Sequence, residues 1–434
     1  MPSTQESTST RSTVYTKEEA LQYIQENDVK FIKLFFTDIF GVIKSLSIQP
    51  SELERAFETG ISFDASAVRG FLNVTKSDLF IVPDPATLCV LPWRPQTGRV
   101  VRFFCKVRYI DGTPFEGDLR MLLKNQVKKA AEEGYEIRIG TECEFYLFKL
   151  DDKGEPTLLP HDHAGYCDLA PRDRGENVRR EICLTLEQMG VHPEASHHET
   201  GPGQNEVDFR YSDPVNAADN LATFKTVVKT VADRYGLFAS FMAKPLADEA
   251  GSGLHLSISL WKDGKNLFAG RLSEEAKFFM AGIMKRMREI TAFLNPYPNS
   301  YERFGEFEAP RYISWSRENR SQLIRIPASS EDDARLELRS PDPSCNQYLA
   351  IYLVLGAGFE GIAQKCPLPP AKDLDLYNAT DAETKDLESL PLNQKEAVRL
   401  AVTSDFVKTL LTQRMIDAFE EAEESAQKAV FAEI

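Results

Sequence analysis

The chain has 434 residues and an acidic composition, in which 66 Asp and Glu outweigh 51 Lys and Arg and give a formal net charge of −15. This charge disfavours broad electrostatic binding to nucleic acid or to an anionic membrane. A hydrophobic content of 42% is typical of a folded globular protein, and no apolar run approaches the ~18 residues that span a bilayer. Seven scattered cysteines without a Cys-x-x-Cys pair favour a reduced, cytoplasmic protein.

The N-terminal quarter of the chain predicts a small α+β unit. Residues 1–15 are rich in Ser and Thr and lack the apolar core of a signal peptide, so we expect a disordered tail there. Thr16, with Glu19 three residues later, predicts a capped helix start. The segments that follow predict a β-hairpin over 29–48, a short helix over 50–58, and strands near 79–82 and 100–110.

The sequence DGTPFEGD at 111–118 concentrates turn-forming residues and predicts a domain boundary. Directly after it, a helix is expected over 120–135, ending at Gly134. The rest of the chain shows no internal repeat and mixes strands with further helices, which the apolar periodicity predicts over 216–235, 274–291 and 392–428.

Four strand-like segments carry charged and polar side chains at every second position. A period of two directs such side chains to one face of a sheet. The alternating sets are Glu142, Glu144 and Tyr146; Glu206, Asp208 and Arg210; His255, Ser257 and Ser259; and Arg335, Glu337 and Arg339.

The residue types on these faces distinguish two interpretations. A solvated face of an antiparallel sheet is the simpler one, and for any single strand it is favoured. Solvated faces, however, favour Lys, Thr and Gln, whereas these four offer carboxylates, an imidazole and arginines. Neighbouring Glu side chains on one face repel each other unless a cation neutralises them. Together the strands therefore predict a site for hard divalent cations such as Mg²⁺ or Mn²⁺, provided that they meet in space.

Other motifs narrow the chemistry. The chain has neither a G-x-x-x-x-G-K-[ST] phosphate loop nor a dinucleotide G-x-G-x-x-G, so a nucleotide would need another architecture. A G-x-S-x-G elbow is also missing, which disfavours acyl-enzyme chemistry. His197 and His198 directly precede Glu199, too close for a His-Glu-x-x-His zinc motif, and are weak metal candidates. The cluster of Arg317, Arg320 and Arg325 is either a solvated basic face or an anion clamp.

Taken together, these motifs resemble the glutamine synthetase family, specifically its bacterial type I branch, from about residue 16 to about residue 420. Each segment alone is weak evidence, but their shared order along the chain is specific. The segments are FDASAVRGF (63–71), GTECEFYLF (140–148), GYCDLAPRD (165–173), EASHHETGPGQNEVDF (194–209), MAKPLADEAGSGLHLSISL (242–260), NPYPNSYERFGEFEAP (295–310), NRSQLIRIPAS (319–329) and RLELRSPDPSCNQYL (335–349).

The resemblance implies an α+β fold with two domains. A small β-grasp-like N-terminal domain is expected over 16–113. A large catalytic domain, with a curved antiparallel sheet flanked by helices, is expected over 119–434. Sites in this family form between subunits of hexameric rings, so a homo-oligomer, either hexamer or dodecamer, is implied as well.

The resemblance also implies ATP and two or three Mg²⁺ or Mn²⁺ ions as cofactors, with L-glutamate and ammonia or a small amine as substrates. Glu144, Glu199 and Glu206 look like the ligands of one ion. Glu142, His255 and Glu337 look like the ligands of the second, which would hold the ATP phosphates.

Further roles follow from the same resemblance. The implied glutamate clamp consists of Arg303 and Arg339 with backbone around Gly251, and Arg320 and Arg325 match arginines that stabilise the transferring phosphoryl group. The implied ATP contacts are Glu194, Ser257 and Ser259, and Glu308 corresponds to the flap glutamate. Asp64, Tyr166 and Glu199 correspond to the ammonium pocket, with Asp64 supplied by a neighbouring subunit.

The sequence departs from the family's pattern at several positions. Ala67 replaces a serine hydroxyl near the expected ammonium pocket, Arg69 replaces an acidic or neutral residue, and Ala250 replaces an asparagine. The flap around 303–308 is one residue shorter than the common form. Glu388 takes the place of the tyrosine that some members adenylylate, which predicts that this control is absent. The tail lacks the usual Trp-Glu-containing ending, which leaves hexamer and dodecamer both open.

The first hypothesis is therefore an ATP-dependent glutamate–ammonia ligase acting through γ-glutamyl phosphate. Because the departures at Ala67, Arg69 and the flap lie where the amine is expected, a γ-glutamyl-amine ligase with a polyamine or ethanolamine acceptor is the alternative. A catalytically silent regulatory paralogue is the third reading. It is disfavoured because all the implied metal ligands and arginines are retained.

Overall fold

The structure is a computed structural model that describes residues 14–426, with side chains up to residue 423. Of the predicted disordered tail over 1–15, residues 1–13 lie outside the described range. The capped helix start is confirmed, because Thr16 Oγ1 accepts a hydrogen bond from the Glu19 amide at 3.2 Å and the Glu19 carboxylate accepts one from the Thr16 amide at 2.7 Å.

The N-terminal part folds around a six-stranded sheet of order β2-β1-β6-β4-β3, with β5 paired to β6. The predicted hairpin over 29–48 is confirmed as the antiparallel pair β1–β2, while β1 pairs with β6 in parallel. The elements are α1 (Lys17–Glu26), β1 (Val29–Thr37), β2 (Ile43–Ile48), α2 (Leu53–Glu58), β3 (Ile61–Asp64), β4 (Asp78–Pro83), β5 (Cys89–Val90) and β6 (Arg99–Arg108).

The larger part is built on a ten-stranded sheet of order β14-β15-β16-β12-β7-β10-β9, with β8 and β11 also paired to β7 and β13 to β12. Its strands are β7 (Tyr135–Leu150), β8 (Pro156–Pro160), β9 (Pro193–His198), β10 (Gln204–Phe209), β11 (Leu237–Ser240), β12 (Leu254–Lys262), β13 (Lys265–Asn266), β14 (Trp315–Arg317), β15 (Ile324–Ile326) and β16 (Leu336–Leu338).

This sheet is mixed rather than wholly antiparallel as expected. The strands β14 and β15 run parallel, because the six residues between them carry the chain back to the start of β14. The other described pairs of the sheet are antiparallel.

Helices pack against the sheet and bury its apolar side chains. The helices of this part are α3 (Leu119–Glu132), α4 (Glu176–Gln188), α5 (Pro214–Arg234), α6 (Glu274–Leu294), α7 (Gln347–Gln364), α8 (Asp381–Thr384), α9 (Gln394–Thr403), α10 (Asp405–Leu410) and α11 (Gln413–Ala426). None of the helices within residues 14–426 is both long enough and apolar enough to cross a bilayer.

The single helix predicted over 392–428 is wrong, because the chain forms α9, α10 and α11 there. Ser404 adopts an extended conformation, with φ −72° and ψ 122°, that ends α9. Its hydroxyl then accepts a hydrogen bond from the Val407 amide and begins α10. Leu411, with φ −117° and ψ 146°, ends that helix in turn.

A buried ion cluster joins the two parts. Arg120, on α3, donates to Asp84 of the N-terminal part at 3.1 Å and to Asp219 on α5 at 2.8 Å. The hydroxyl of Tyr348, on α7, donates to Asp219 at 2.7 Å. Because these groups are almost fully buried, each charge depends on its partners.

Candidate active site

The strands that carry the alternating polar side chains are neighbours. In the register of the sheet, Glu144 on β7 faces Glu206 on β10, and Glu142 faces both Asp208 on β10 and His255 on β12. The next pair outward joins Ser257 on β12 to Glu337 on β16. The condition attached to the metal-site prediction, that these strands meet in space, is therefore fulfilled.

The shared face forms the wall of a cleft with a volume of about 670 Å³. Carboxylates line one side of it and arginines line the other, and two residues of the segment 304–310, hereafter the flap, stand at its mouth. The cleft-lining charged residues and flap residues are Glu142, Glu144, His197, Glu199, Glu206, Asp208, Phe307, Glu308, Arg320, Arg325 and Arg335.

A first cluster of carboxylates contains Glu144, Glu199 and Glu206. The Glu144 carboxylate accepts hydrogen bonds from the side chain of Gln204 at 2.8 Å and from the Gly253 amide at 3.0 Å. Burial and the charge of Glu199 raise the pKa of Glu144 to about 8. Burial, with the charges of Glu144 and then Asp208, raises the pKa of Glu206 well above its usual range. The cluster therefore binds protons when no other cation is available.

A second cluster surrounds His255. Its Nδ1 atom lies 3.2 Å from Oε2 of Glu142 and 3.6 Å from Oε1 of Glu337. Burial and the nearby Arg339 lower the pKa of His255, which favours the neutral imidazole that binds metals. Burial and the charge of Glu142 raise the pKa of Asp208 to about 6, so this unassigned carboxylate also belongs to the acidic wall.

Glu337 differs from the other carboxylates because cations surround it. Its two oxygens lie 2.5 Å from Nη1 of Arg339 and 2.7 Å from Nη1 of Arg325. Burial acts to raise the pKa of Glu337, but the guanidinium groups of Arg339 and Arg325 outweigh it and bring this pKa to about 2. Glu337 is thus ionised and links the acidic wall to the arginines.

The two arginines expected to clamp glutamate are both buried beneath the cleft. Arg303 donates to the backbone carbonyls of Ser340 and Arg339, at 2.9 and 3.1 Å. Beside it, a Cβ atom on Gly251 would lie 2.5 Å from the Ala243 carbonyl oxygen, which is closer than real Cβ atoms approach. Glycine is therefore required at 251, where the backbone lines the cleft.

The flap brings Glu308 close to two arginines. Its Oε2 atom lies 3.8 Å from Nη1 of Arg320 and 3.8 Å from Nη2 of Arg339, while the side chain stays exposed. Phe307 and Glu308 both adopt positive φ angles, 45° and 67°, which non-glycine residues rarely occupy. Surrounding contacts must hold the flap in this conformation.

The expected ATP contacts divide into two groups. Ser257 accepts a hydrogen bond from Nε of Arg335 at 3.2 Å, and Ser259 accepts one from the indole of Trp261 at 3.2 Å. Arg138 lies 3.9 Å from the Trp261 ring centroid and continues the same face. Glu194, by contrast, is exposed on the edge strand β9 and does not line the cleft. The sequence analysis missed Trp261 and Arg138, although the period of two reaches Trp261 after His255 and reaches Arg138 before Glu142.

The expected ammonium pocket is divided between the two parts of the chain. Tyr166 lines the cleft and contacts His197 edge to face, with ring centroids 5.2 Å apart. Asp64 lies in the N-terminal part, where its carboxylate accepts hydrogen bonds from the amide and hydroxyl of Ser66. Among the described residues, none from the N-terminal part lines this cleft. Arg69 packs over the ring of Phe40, 4.1 Å from its centroid.

The two histidines that the sequence analysis weighed as weak candidates have different surroundings. His197 lies in the cleft, 3.4 Å from Glu199 and 3.8 Å from Glu206, so sequence reasoning undervalued it. The edge pairing of β9 with β10 is what brings it there. His198 is fully buried and bonds to Asp162 at 2.8 Å behind the sheet.

The donor atoms suit a divalent cation. Glu142, Glu206 and His255 each offer one ligand atom, and these atoms lie within 4.8 Å of one another. His197, Glu199 and Glu206 form a second such group. Carboxylate oxygens with one imidazole are ligands that Mg²⁺ and Mn²⁺ accept. Binding a cation would also relieve the repulsion that raises the pKa values of Glu144 and Glu206.

Fold and site define an enzyme of two parts, in which an acidic cleft on an antiparallel-rich sheet faces a set of arginines. Two family descriptions match the chain: "Glutamine synthetase, beta-Grasp domain" over residues 28–109 and "Glutamine synthetase, catalytic domain" over residues 116–434. The chain belongs to the glutamine synthetase family, and its match to the catalytic domain and to named glutamine synthetases indicates a ligase.

Individual relatives agree with this assignment. The chain is 47% identical over 412 residues to a glutamine synthetase of Methanosarcina mazei, covering 93% of this chain and 92% of the relative. A solved structure of a GmaS/ADP complex superposes with a TM-score of 0.85 at 31% identity, covering 94% and 95% of the two chains. The glutamine synthetase of Plasmodium falciparum has the same fold, with a TM-score of 0.84 at 24% identity over 96% and 98% of the chains.

Proposed function

We propose that the protein joins ammonia to the γ-carboxylate of L-glutamate at the expense of ATP, through γ-glutamyl phosphate. The observation that carries this proposal is the meeting of a carboxylate–imidazole wall with several arginines in one cleft. A carboxylate is a poor acyl donor because its leaving group would be oxide. Attack of a glutamate oxygen on the ATP γ-phosphorus releases ADP, and attack of ammonia on the resulting acyl phosphate releases phosphate.

The acidic residues would hold two or three Mg²⁺ or Mn²⁺ ions. The proposed ligands are Glu144, Glu199 and Glu206 for one ion and Glu142, His255 and Glu337 for the second. When bound, the ions supply positive charge that offsets the triphosphate and the substrate carboxylate. His197 is a further candidate ligand because it lies beside Glu199 and Glu206.

The arginines and the flap would act on the substrates directly. Arg303 and Arg339, with the backbone at Gly251, are proposed to bind the glutamate carboxylates. Arg320 and Arg325 line the cleft and would stabilise the charge of the transferring phosphoryl group. Glu308 would close the flap and exclude water from the acyl phosphate.

The nucleotide would extend along the sheet from the metal ligands. Glu194, Ser257 and Ser259 were expected to contact ATP, and the two serines continue the face of His255. The similarity to GmaS in its ADP complex supports a nucleotide in this fold. We add Trp261 as a candidate for stacking on the base, because its indole lies two residues beyond Ser259 on that face.

We further propose that the enzyme acts as a homo-oligomer, a hexamer or a dodecamer. Asp64 was expected to deprotonate ammonium beside Tyr166 and Glu199. Since Asp64 is exposed and does not line the cleft of its own chain, a second copy would supply it in this role. The division into units at 16–113 and 119–434 belongs to the same proposal, because the N-terminal unit of one copy would complete the cleft of the next.

A γ-glutamyl-amine ligase is the second candidate. The observation in its favour is Ala67, which offers no hydroxyl near the expected amine position. Retained Asp64, Tyr166 and Glu308 favour ammonia, because a small hydrated cation needs several oxygens to replace its water shell.

A panel of amines separates these candidates. Phosphate release and product mass would be measured with glutamate and ATP, using ammonium, ethanolamine and putrescine side by side. We expect ammonium to give the highest kcat/KM. A higher kcat/KM for ethanolamine or putrescine would establish the second candidate. Binding without turnover of any amine would favour a silent regulatory paralogue and refute both ligase proposals.

A further inference from the structure

Lys244 is a buried lysine whose ammonium group connects two loops of the cleft. Only 5% of the residue is exposed. Its Nζ atom donates to the backbone carbonyl of Glu249 at 2.8 Å and lies 3.4 Å from Oε2 of Glu306. The same atom lies 4.7 Å from the centroid of the Phe307 ring. A buried ammonium needs such partners, so the lysine restrains every group that it contacts.

One end of this connection is the loop that lines the proposed glutamate subsite. Glu249 lies two residues before Gly251, whose backbone faces the cleft. On the other side of Gly251, the Ser252 amide donates a hydrogen bond to the carbonyl of Ala243, the residue before Lys244, at 2.8 Å. Two contacts therefore hold the backbone around Gly251: the bond from the Lys244 side chain to Glu249 and the bond between Ser252 and Ala243.

The other end is the flap. Glu306 and Phe307 directly precede Glu308, and Phe307 and Glu308 occupy the positive φ region. Two successive non-glycine residues in this region return to ordinary conformations unless contacts hold them. Internal flap bonds join Gly305 to Ala309 and Ala309 to Glu306. Arg339 holds the Glu308 end of the flap by donating to its carbonyl at 3.2 Å, and Lys244 ties the preceding residues Glu306 and Phe307 to the floor of the cleft.

We propose that Lys244 is a positioning residue that couples the glutamate-binding loop to the flap, and so limits hydrolysis of the acyl phosphate. This inference rests on the proposed function. Water attacking γ-glutamyl phosphate returns glutamate and phosphate, whereas ammonia gives glutamine and phosphate, so both routes release one phosphate. A flap that is no longer tied to the substrate loop admits water, and phosphate is then released without amide formation.

A second lysine in the chain provides a matched control. Lys262 also pairs with a carboxylate, 2.7 Å from Glu275, and lies 4.4 Å from the ring centroid of Tyr135. It therefore makes the same kinds of contact outside the cleft. The Lys262 side chain is 33% exposed and that of Lys244 only 2%, so this control reports on the loss of the charge and of the ring contact, while Lys244→Arg controls for the loss of the buried charge.

The test compares Lys244→Met, Lys244→Arg, Glu306→Gln and the control Lys262→Met with the wild-type enzyme. Two quantities are measured with glutamate, ATP and ammonium: the ratio of phosphate released to amide formed, and the separate effects on kcat and on KM for glutamate. Loss of a charge-assisted contact changes an equilibrium by about tenfold. We therefore expect Lys244→Met to raise the phosphate-to-amide ratio and the KM for glutamate severalfold, Lys244→Arg to restore the ratio in part, and Lys262→Met to change neither quantity.

The outcomes separate this inference from the proposed function. A wild-type enzyme that forms no amide would refute the proposed function. If the wild type forms amide while both Lys244→Met and Glu306→Gln keep its ratio and its KM, the positioning role is refuted. Should Lys244→Met fail to fold, Glu306→Gln decides alone, because Glu306 is exposed and its replacement leaves the buried lysine its other partners.

Discussion

The repulsion among the cleft carboxylates makes a prediction about stability that opposes the usual effect of mutating a buried polar residue. In Glu144→Gln, an amide of the same shape replaces a carboxylate whose pKa is raised from 4.5 to about 8. The amide keeps an oxygen that accepts the bonds from Gln204 and the Gly253 amide. We expect this variant to be inactive yet more stable than the wild type in the presence of a chelator.

The magnitude follows from the two pKa values. Between pH 4.5 and about 8 the unfolded chain has lost the Glu144 proton while the folded chain still binds it, so the free energy of unfolding falls as the pH rises. Near pH 8 the accumulated loss is about 4 kcal/mol. The amide of Glu144→Gln does not titrate, so the variant does not lose this free energy of unfolding. Its stability relative to the wild type should therefore be unchanged below pH 4.5 and increase toward pH 8.

The assay is urea unfolding at several pH values, with chelator and with Mg²⁺, and a change at the exposed Glu155, Glu155→Gln, serves as the surface control. A cation that binds only the folded state at a hundredfold excess over its Kd adds about 2.7 kcal/mol. Mg²⁺ should thus stabilise the wild type more than Glu144→Gln, which loses one ligand of the first proposed ion but keeps Glu142, His255 and Glu337 for the second. The reasoning is refuted if Glu144→Gln is no more stable than the wild type at pH 8 in chelator, or if Mg²⁺ stabilises both equally.

Two further predictions concern the joint between the parts and the assembly. Arg120→Met should lower the free energy of unfolding by about 3 kcal/mol, because it removes the guanidinium partner of the buried Asp219 and leaves Asp84 with Lys124 alone; urea unfolding would measure this, and an unchanged midpoint would contradict it. Asp64→Ala and Glu337→Ala should each be inactive, but co-assembled from unfolded chains they should regain part of the activity if Asp64 completes a neighbour's cleft. No recovery in verified mixed oligomers would place Asp64 outside the neighbour's site.

The sequence predicted the acidic wall because strand geometry makes it a local property. A period of two determines the face of Glu142 and Glu144 whatever the rest of the fold does. Hydrophobic residues between them, such as Cys143 and Phe145, bury the opposite face and hold the register. Which strands lie next to each other in the sheet cannot be read from local sequence. Before the structure, only the resemblance to a family indicated that these strands meet.

What the sequence could not predict depends on contacts between distant segments. A helical pattern over 392–428 hid the break at Ser404, where the side chain of one residue competes with the helix backbone. His197 gained its place in the cleft from the pairing of an edge strand. Lys244 carries no local signal at all, since Glu306 and Phe307 lie sixty residues away in the chain.

The distribution of charge in the cleft places a condition on its ligands. The pKa values of Glu144, Glu206 and Asp208 are raised, so these groups keep their protons at pH values where carboxyl groups are usually ionised. Glu337 lies two strands away from β7, and its pKa is lowered to about 2 because arginines surround it. The acidic wall therefore lacks positive charge and the arginine side can accept negative charge. A cation alone would satisfy only the first side, and an anion alone only the second. A divalent cation together with an anionic substrate satisfies both, which is the combination that phosphoryl transfer to a carboxylate requires.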